Sequence, residues 1–323
     1  MAVYTALSAR DMGALTRQWC AAPLTGYGGI AAGVENTTYW LRLGRRKYAL
    51  SIYEKPMAVK DLRFFLSLMD HLADAGLPVP RPLTTRRGTP LASVKGKPCA
   101  LTPFLPGASL KRPSAKACRA LGALIAEMHA SAASFAPRRK NPLGRDGWAR
   151  LLRAIRTTNP LPDAQWQFAQ DAMAHYTAAW PKALTRGIIH NDMFPDNVLF
   201  RGGKISGLMD FSFACEDVLL YDVAIALTAW AFAPQRPWAF DDKKAAALLA
   251  GYQQRRALTA PERRALPILA GGAALQFFLT RQQEWGRRQT SALKDEGAGK
   301  DAREYFAKLQ FLRAYGDALA ALI

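Results

Sequence analysis

The sequence predicts an α+β chain in two lobes: a small N-terminal lobe on an antiparallel sheet, residues 1–105, and a larger, mostly helical C-terminal lobe, residues 106–323. Three observations predict it. Segments rich in β-branched and aromatic residues are concentrated in the first third of the chain, apolar residues at helical spacing dominate from Ala115 onward, and Pro106-Gly107 breaks the pattern between the two. At 323 residues the chain exceeds one ordinary core, and with 50% of its residues hydrophobic both lobes can pack.

In chain order, residues 8–20 read as a short amphipathic helix with Ser8 as N-cap and Met12, Leu15 and Trp19 on its apolar face. A glycine-rich stretch follows, Gly26 to Gly33 and on to Asn36. Glycine has no Cβ, so such a loop lets backbone amides approach phosphate oxygens; Gly29, Gly33 and Asn36 are candidates for that contact, although several glycines also make an ordinary turn. Thr38–Leu43 and Tyr48–Tyr53 have strand composition and are joined by a turn at Gly44-Arg45-Arg46. Lys60–Ala75 is a helix with Leu62, Phe65, Leu66, Met69 and Leu72 on one side, ended by Gly76 and Pro78. A strand at Thr84-Thr85, a turn at Arg87-Gly88, and strands at Leu91–Val94 and Cys99–Phe104 complete the first lobe. In the second, residues 137–147 form a loop, and helices are expected over 148–157, 163–185, 217–233, 241–258, 261–285 and 301–322. His71 fits the surface, and His129, on a broad apolar face, fits a hydrogen-bonded core histidine.

The chemistry is concentrated in Ile188-Ile189-His190-Asn191-Asp192 through Pro195-Asp196-Asn197 to Phe200, followed by a hairpin turn at Arg201–Lys204 and then Met209-Asp210-Phe211. Phosphoryl transfer needs an acceptor hydroxyl aimed at the γ-phosphorus and metal ions that neutralise the phosphates. In the kinase template an Asp takes the hydroxyl proton, an Asn five positions later holds one Mg²⁺, and an Asp-Phe pair after a hairpin holds the other. Asp192, Asn197 and Asp210 have that spacing, which makes the predicted fold protein-kinase-like. His190 then holds the loop, and Asp196 caps a turn. Thr102 to Leu105, with Thr102 and Phe104 as candidates, would line the adenine pocket. Ser51 stands where a kinase keeps its phosphate-pairing lysine; Lys47 and Lys55 share its face but lie four residues away, roughly 13 Å along a strand. After Asp210 the chain passes through Phe211–Glu216 directly toward a helix, with no segment long enough to hold a polypeptide substrate, so the acceptor is a small molecule. Asp222 lies among apolar residues, and a buried carboxylate needs donors, so it is expected to bond the backbone of the catalytic loop.

The formal charge of +19 invites a nucleic-acid or membrane-surface reading. Its distribution opposes both, because the basic residues come in short clusters such as Arg45-Arg46-Lys47 and Arg138-Arg139-Lys140 with no long block and no basic-aromatic repeat. No nucleic-acid or membrane partner is expected. Cys20, Cys99, Cys118 and Cys215 have neither zinc nor C-x-x-C spacing, which fits reduced thiols in the cytoplasm; the first residues show no signal peptide, and the apolar run at Val218–Ala233 is short for a bilayer.

The runs Gly29–Tyr39, Asp61–Phe65 to Gly76–Pro80, His190–Phe200, Asp210–Cys215 and Tyr221–Ile225 resemble the homoserine kinases of the bacterial aminoglycoside-phosphotransferase-like (choline kinase-like) superfamily, from Val3 to about Leu309. The resemblance implies ATP and Mg²⁺ binding between two lobes, Asp192 as base, and Asn197 and Asp210 on metal. It also implies a hydroxyl residue at Ser51, Arg281 as partner of the substrate carboxylate, and Trp230 at the acceptor. Ala229 stands before Trp230 where the resemblance leads one to expect Asp, leaving Glu216 or Asp217 as candidates for the substrate ammonium. Two other readings remain open: a phosphotransferase of the same fold acting on an aminoglycoside, choline-like or other small alcohol, and a non-enzymatic nucleotide- or anion-binding protein.

Overall fold

Five antiparallel strands, β1 (Leu24–Gly29), β2 (Thr37–Leu43), β3 (Arg46–Ile52), β4 (Leu91–Val94) and β5 (Lys97–Pro103), pair in the order β1-β2-β3-β5-β4. The structure is a computed structural model and describes residues 4–19, 22–30, 36–54, 57–290, 300–316, 319 and 321–322. Two compact units are present, Met1–Gly107 with Ser206–Ser212, and Ala108–Ile205 with Phe213–Ile323.

In the first unit the period of two decides which residues are buried. Tyr39, Leu41 and Leu43 of β2, Leu50 and Ile52 of β3, and Cys99 and Leu101 of β5 fall on one face and pack with Met12 and Leu15 of α1 (Ala9–Thr16). Ser8 and Asp11 close a capping box at the start of α1, each side chain accepting from the other's backbone N–H at 3.1 and 3.0 Å. The second helix, α2 (Val59–Asp74), buries Leu62, Phe65, Leu66, Met69 and Leu72, and ends where Leu77 N–H bonds Leu72 O at 3.0 Å ahead of Pro78. Thr84-Thr85 is not a strand. Thr85 N–H closes onto Thr89 O (2.8 Å) and Gly88 N–H onto Thr85 O (2.9 Å), so the backbone is used locally and pairing begins only at Leu91.

The second unit holds α3 (Ala115–Ser131), α4 (Trp148–Thr158), α5 (Asp163–Ala179), α6 (Leu219–Trp230), α7 (Asp242–Gln253), α8 (Ala260–Thr290) and α9 (Ala302–Tyr315). Its strands are β6 (Ala108–Ser109), β7 (Arg186–Ile189), β8 (Val198–Arg201) and β10 (Cys215–Val218), with the first residues of β9 (Lys204–Leu208). Helices α3 and α7 cross at backbone contact: a Cβ on Gly122 would lie 2.0 Å from Leu248 O, and one on Gly251 2.0 Å from Arg119 O. At Ser206 the chain returns to the first unit, where Ser206 Oγ donates to Pro106 O at 2.6 Å and Leu208 N–H to Pro78 O at 2.8 Å.

Several expected boundaries move: α6, α7 and α9 end at Trp230, Gln253 and Tyr315, short of residues 233, 258 and 322, and two further shifts have a local cause. The helix expected from Asp217 starts at Leu219, because Cys215–Val218 pairs antiparallel with β7, Cys215 opposite Ile189 and Val218 opposite Arg186. The helix expected to reach residue 185 stops at Ala179, since Pro181 disfavours helical geometry at the residue before it and Trp180 is extended.

Candidate active site

The loop after β7 is held from beneath by one carboxylate. Asp222, in the first turn of α6 and fully buried, accepts from His190 N–H on Oδ2 and from Asn191 N–H on Oδ1, each at 2.7 Å. His129 Nε2 meets the same Oδ2 at 3.1 Å, and His129 Nδ1 lies 3.1 Å from the Tyr252 hydroxyl. A carboxylate oxygen accepts, so Nε2 is the donor of that pair, and burial pushes the pKa of the Tyr252 hydroxyl up to about 12. Asn191 is buried with φ 65°, a left-handed conformation rare outside glycine but tolerated by Asn. Its amide nitrogen donates to Asn141 Oδ1 at 3.0 Å, and Asn141 Nδ2 donates to Asp217 at 2.8 Å. Sequence reasoning missed Asn141; it stands in a loop with no periodicity to mark it.

The next turn fixes the candidate catalytic pair. Phe194 N–H bonds Asp192 O (2.8 Å) and Asn197 N–H bonds Phe194 O (3.1 Å), winding Pro195–Asn197 into a single 3₁₀ turn. That turn brings Asn197 Nδ2 onto Asp192 Oδ2 at 2.7 Å and Asp192 O at 2.8 Å. Asp196 is paired with Lys300 at 2.8 Å. In the first unit Asp210 is exposed, has φ 60°, and accepts the Ser212 hydroxyl on Oδ1 at 2.6 Å.

The nucleotide candidates lie in the first unit. Ser51 pairs with Thr38 and Ala100, and Ala49 with Trp40 and Thr102, so Ala49, Ser51, Ala100 and Thr102 form a row of small side chains on the face opposite Leu50 and Ile52. Gly29 closes β1 opposite Tyr39, and Asn36 precedes β2; Gly33 and Lys55 lie outside the described residues. Phe104 is 40% exposed with Lys47 Nζ 4.0 Å above its ring, so Lys47 is drawn toward Phe104 and Trp40. Trp40 covers Gly28, where any Cβ would meet the indole nitrogen at 2.6 Å. This gives Gly28 a packing duty as well as a loop position.

Trp230, at the end of α6, is 1% exposed and gives its indole N–H to Met193 O at 2.8 Å, so it supports the loop. Glu216 lies on β10 with its carboxylate 3.4 Å from Arg138 Nε. Arg281 of α8 bonds Glu304 Oε2 (2.7 Å) and Asp301 O (3.1 Å), and stands over the rings of Tyr305 (4.3 Å) and Phe194 (5.7 Å). Lys308 donates to Glu304 Oε1 and lies over Tyr305 at 4.5 Å and Phe232 at 5.2 Å. Burial, slightly reinforced by Arg281 and opposed by Glu304, lowers its pKa to about 8. Glu304 and Lys308 were not singled out from sequence. Lys308 falls among the buried residues Ala302, Tyr305, Leu309 and Leu312 of α9.

The model of the phosphotransferase enzyme family matches residues 27–266. A homoserine kinase of Rhizobium etli is 43% identical over 320 residues, 98% of each chain, and one of Rhodopseudomonas palustris is 41% identical over 331 residues, 100% of each. Among solved structures an amicoumacin kinase, in complex with AMP-PNP and Ca²⁺, superposes with a TM-score of 0.71 at 15% identity over 97% of this chain and 94% of that one, a likeness of fold. The chain therefore belongs to the phosphotransferase enzyme family, alongside the homoserine kinases it matches over its whole length.

Proposed function

We propose that the chain is a homoserine kinase that moves the γ-phosphoryl group of ATP to the side-chain hydroxyl of L-homoserine, a step of threonine biosynthesis. The observation that carries this is the 41–43% identity to homoserine kinases along essentially the entire sequence. Asp192 is the base that receives the hydroxyl proton, its carboxylate orientation fixed by the Asn197 amide. His190 and Asp222 hold the loop, and Trp230 supports it at Met193. Gly29, Gly33, Asn36, Ser51, Thr102 and Phe104 are assigned to ATP; a floor of small residues beside Phe104 suits a flat base.

Asn197 and Asp210 are assigned to Mg²⁺. Asn197 uses its amide hydrogens on Asp192, leaving Oδ1 as a hard oxygen donor, and Asp210 offers an exposed carboxylate. Mg²⁺ takes one or two protein oxygens with phosphates and water, and each of these oxygens is a donor of the kind it takes. When bound, the ion neutralises charge on the transferring group. Arg281 is assigned to the substrate carboxylate. A cytoplasmic location is in keeping with Cys99, Cys118 and Cys215, which are buried free thiols, and among the described residues no helix is long and apolar enough to cross a membrane.

The test is ADP release from purified protein with ATP and a panel of L-homoserine, choline, 1-amino-2-propanol and kanamycin. L-Homoserine should be the preferred acceptor, and Asp192→Ala should cost about a hundredfold to ten-thousandfold in kcat while circular dichroism stays unchanged. Turnover of choline or kanamycin without L-homoserine would overturn the proposal.

A further inference from the structure

An amino-acid acceptor brings an ammonium as well as a carboxylate, and a partner of opposite charge is needed for each. Most acids near the loop are already engaged. Asp222 is fully buried beneath two amides and His129; Asp217 accepts from Asn141 and Arg186; Glu216 faces Arg138; Asp196 faces Lys300. Glu304 differs in two respects. Each of its oxygens takes one described donor, Oε1 from Lys308 and Oε2 from Arg281, and a carboxylate oxygen accepts two. Its side chain is 24% exposed while those of the two cations are 2% and 9%, so of the three it is the one most open to a ligand.

The cluster sets a cation and an anion side by side, Arg281 against Glu304, the pairing that the carboxylate and ammonium of one zwitterion require. It adjoins the loop: Arg281 and Tyr305 both contact the Phe194 ring, and the charge of Asp192 is felt at the Tyr305 hydroxyl. We propose that Glu304 receives the ammonium group of the acceptor, that Arg281 receives its carboxylate, and that Lys308, buried under Phe232 and Tyr305, is a positioning residue that holds Glu304 in place. The inference rests on the amino-acid acceptor of the proposed function and names the groups that would select it. Glu304, brought by α9, takes the duty for which Glu216 and Asp217 are the sequence's candidates.

The experiment compares L-homoserine with 4-hydroxybutanoate, the same alcohol and carboxylate without the ammonium. Wild type should prefer L-homoserine, and Glu304→Gln should reduce the ratio of the two kcat/KM values about tenfold to a hundredfold, the worth of a charge-assisted hydrogen bond, with KM for ATP unchanged. Should Glu304→Gln not fold, Glu304→Asp, with its carboxylate drawn back by one methylene, decides the matter through a smaller fall of the same ratio. A ratio intact in either folded variant, or parallel losses for both acceptors, overturns the inference and leaves the proposed function standing. Wild type inactive on L-homoserine overturns both.

Discussion

Replacing Asp222 by Asn keeps the shape of the side chain and removes one acceptor. In the native protein the carboxylate takes three donors at zero exposure, His190 N–H and Asn191 N–H at 2.7 Å on opposite oxygens and His129 Nε2 at 3.1 Å. An amide has one oxygen. If its nitrogen replaces Oδ1, it confronts Asn191 N–H; if it replaces Oδ2, it confronts His190 N–H and His129. His129 can exchange tautomers with the Tyr252 hydroxyl as partner, but a backbone N–H cannot. One buried donor is therefore orphaned at about 1–3 kcal/mol, and the surviving bonds lose the strength of an ionised acceptor, for a total of roughly 3–5 kcal/mol. That is a large part of the 5–15 kcal/mol typical of native stability. The left-handed Asn191 is also released, since such a conformation costs of order 1–3 kcal/mol and persists only where contacts over-determine it. Asp192 is the next residue, so kcat should fall about a hundredfold with KM for ATP little changed. Urea titration and the ADP-coupled assay measure the two effects. A urea midpoint equal to wild type together with kcat within about twofold would refute the reasoning, because the penalty follows from donor counting alone.

Two helix glycines should respond in opposite directions. Gly251→Ala sets a Cβ 2.0 Å from Arg119 O at the α3–α7 crossing and should destabilise by about 1–3 kcal/mol in chemical denaturation, whereas Gly13→Ala in α1, with only the end of Arg17 at 3.8 Å, should stabilise by about 0.5–1 kcal/mol. Equal effects would show that the close crossing is wrongly placed. Lys308 has a folded pKa of about 8 against 10.5, so between those values the unfolded chain binds more protons and stability rises with pH, by about 3 kcal/mol for this group. Below pH 8 the full penalty is present. Lys308→Met should flatten that rise relative to wild type in urea titrations at pH 7.5 and 10, and an unchanged slope would place the ammonium in water.

Sequence periodicity reported what local chemistry decides. The Asp192-to-Asn197 count, the alternation of β2 and β3 and the stripe of α2 are each set within a few residues, and each takes the form its spacing implies. Cys215–Val218 was not legible as a strand, because Cys-Glu-Asp-Val has little strand character and only the partner β7 confers it. Glu304 and Lys308 were hidden for the reverse reason. An i,i+4 acid–base pair reads as solvated helix surface, and burial follows from the packing of α9 under Arg281 and Phe232, which no window of sequence contains. Gly28 reads as a phosphate-loop glycine until Trp40, twelve positions on and directly opposite in the ladder, shows that a side chain there has no room.

Helix α6 holds the loop at two points. Asp222 at its first turn holds His190 and Asn191, and Trp230 at its last residue holds Met193 O. The two anchors are eight residues apart, about 12 Å along a helix, and the loop between His190 and Met193 reaches at most about 10 Å when extended. A rigid rod attached at both ends of so short a segment sets both its position and its direction. Asp192 lies between the attachment points, so the place of its backbone is set by α6, while the Asn197 amide orients its carboxylate. The apolar composition of α6, buried at eleven of its twelve positions, then has a functional consequence: the helix cannot shift without opening the core, and the carboxylate is held in one place by the whole second unit.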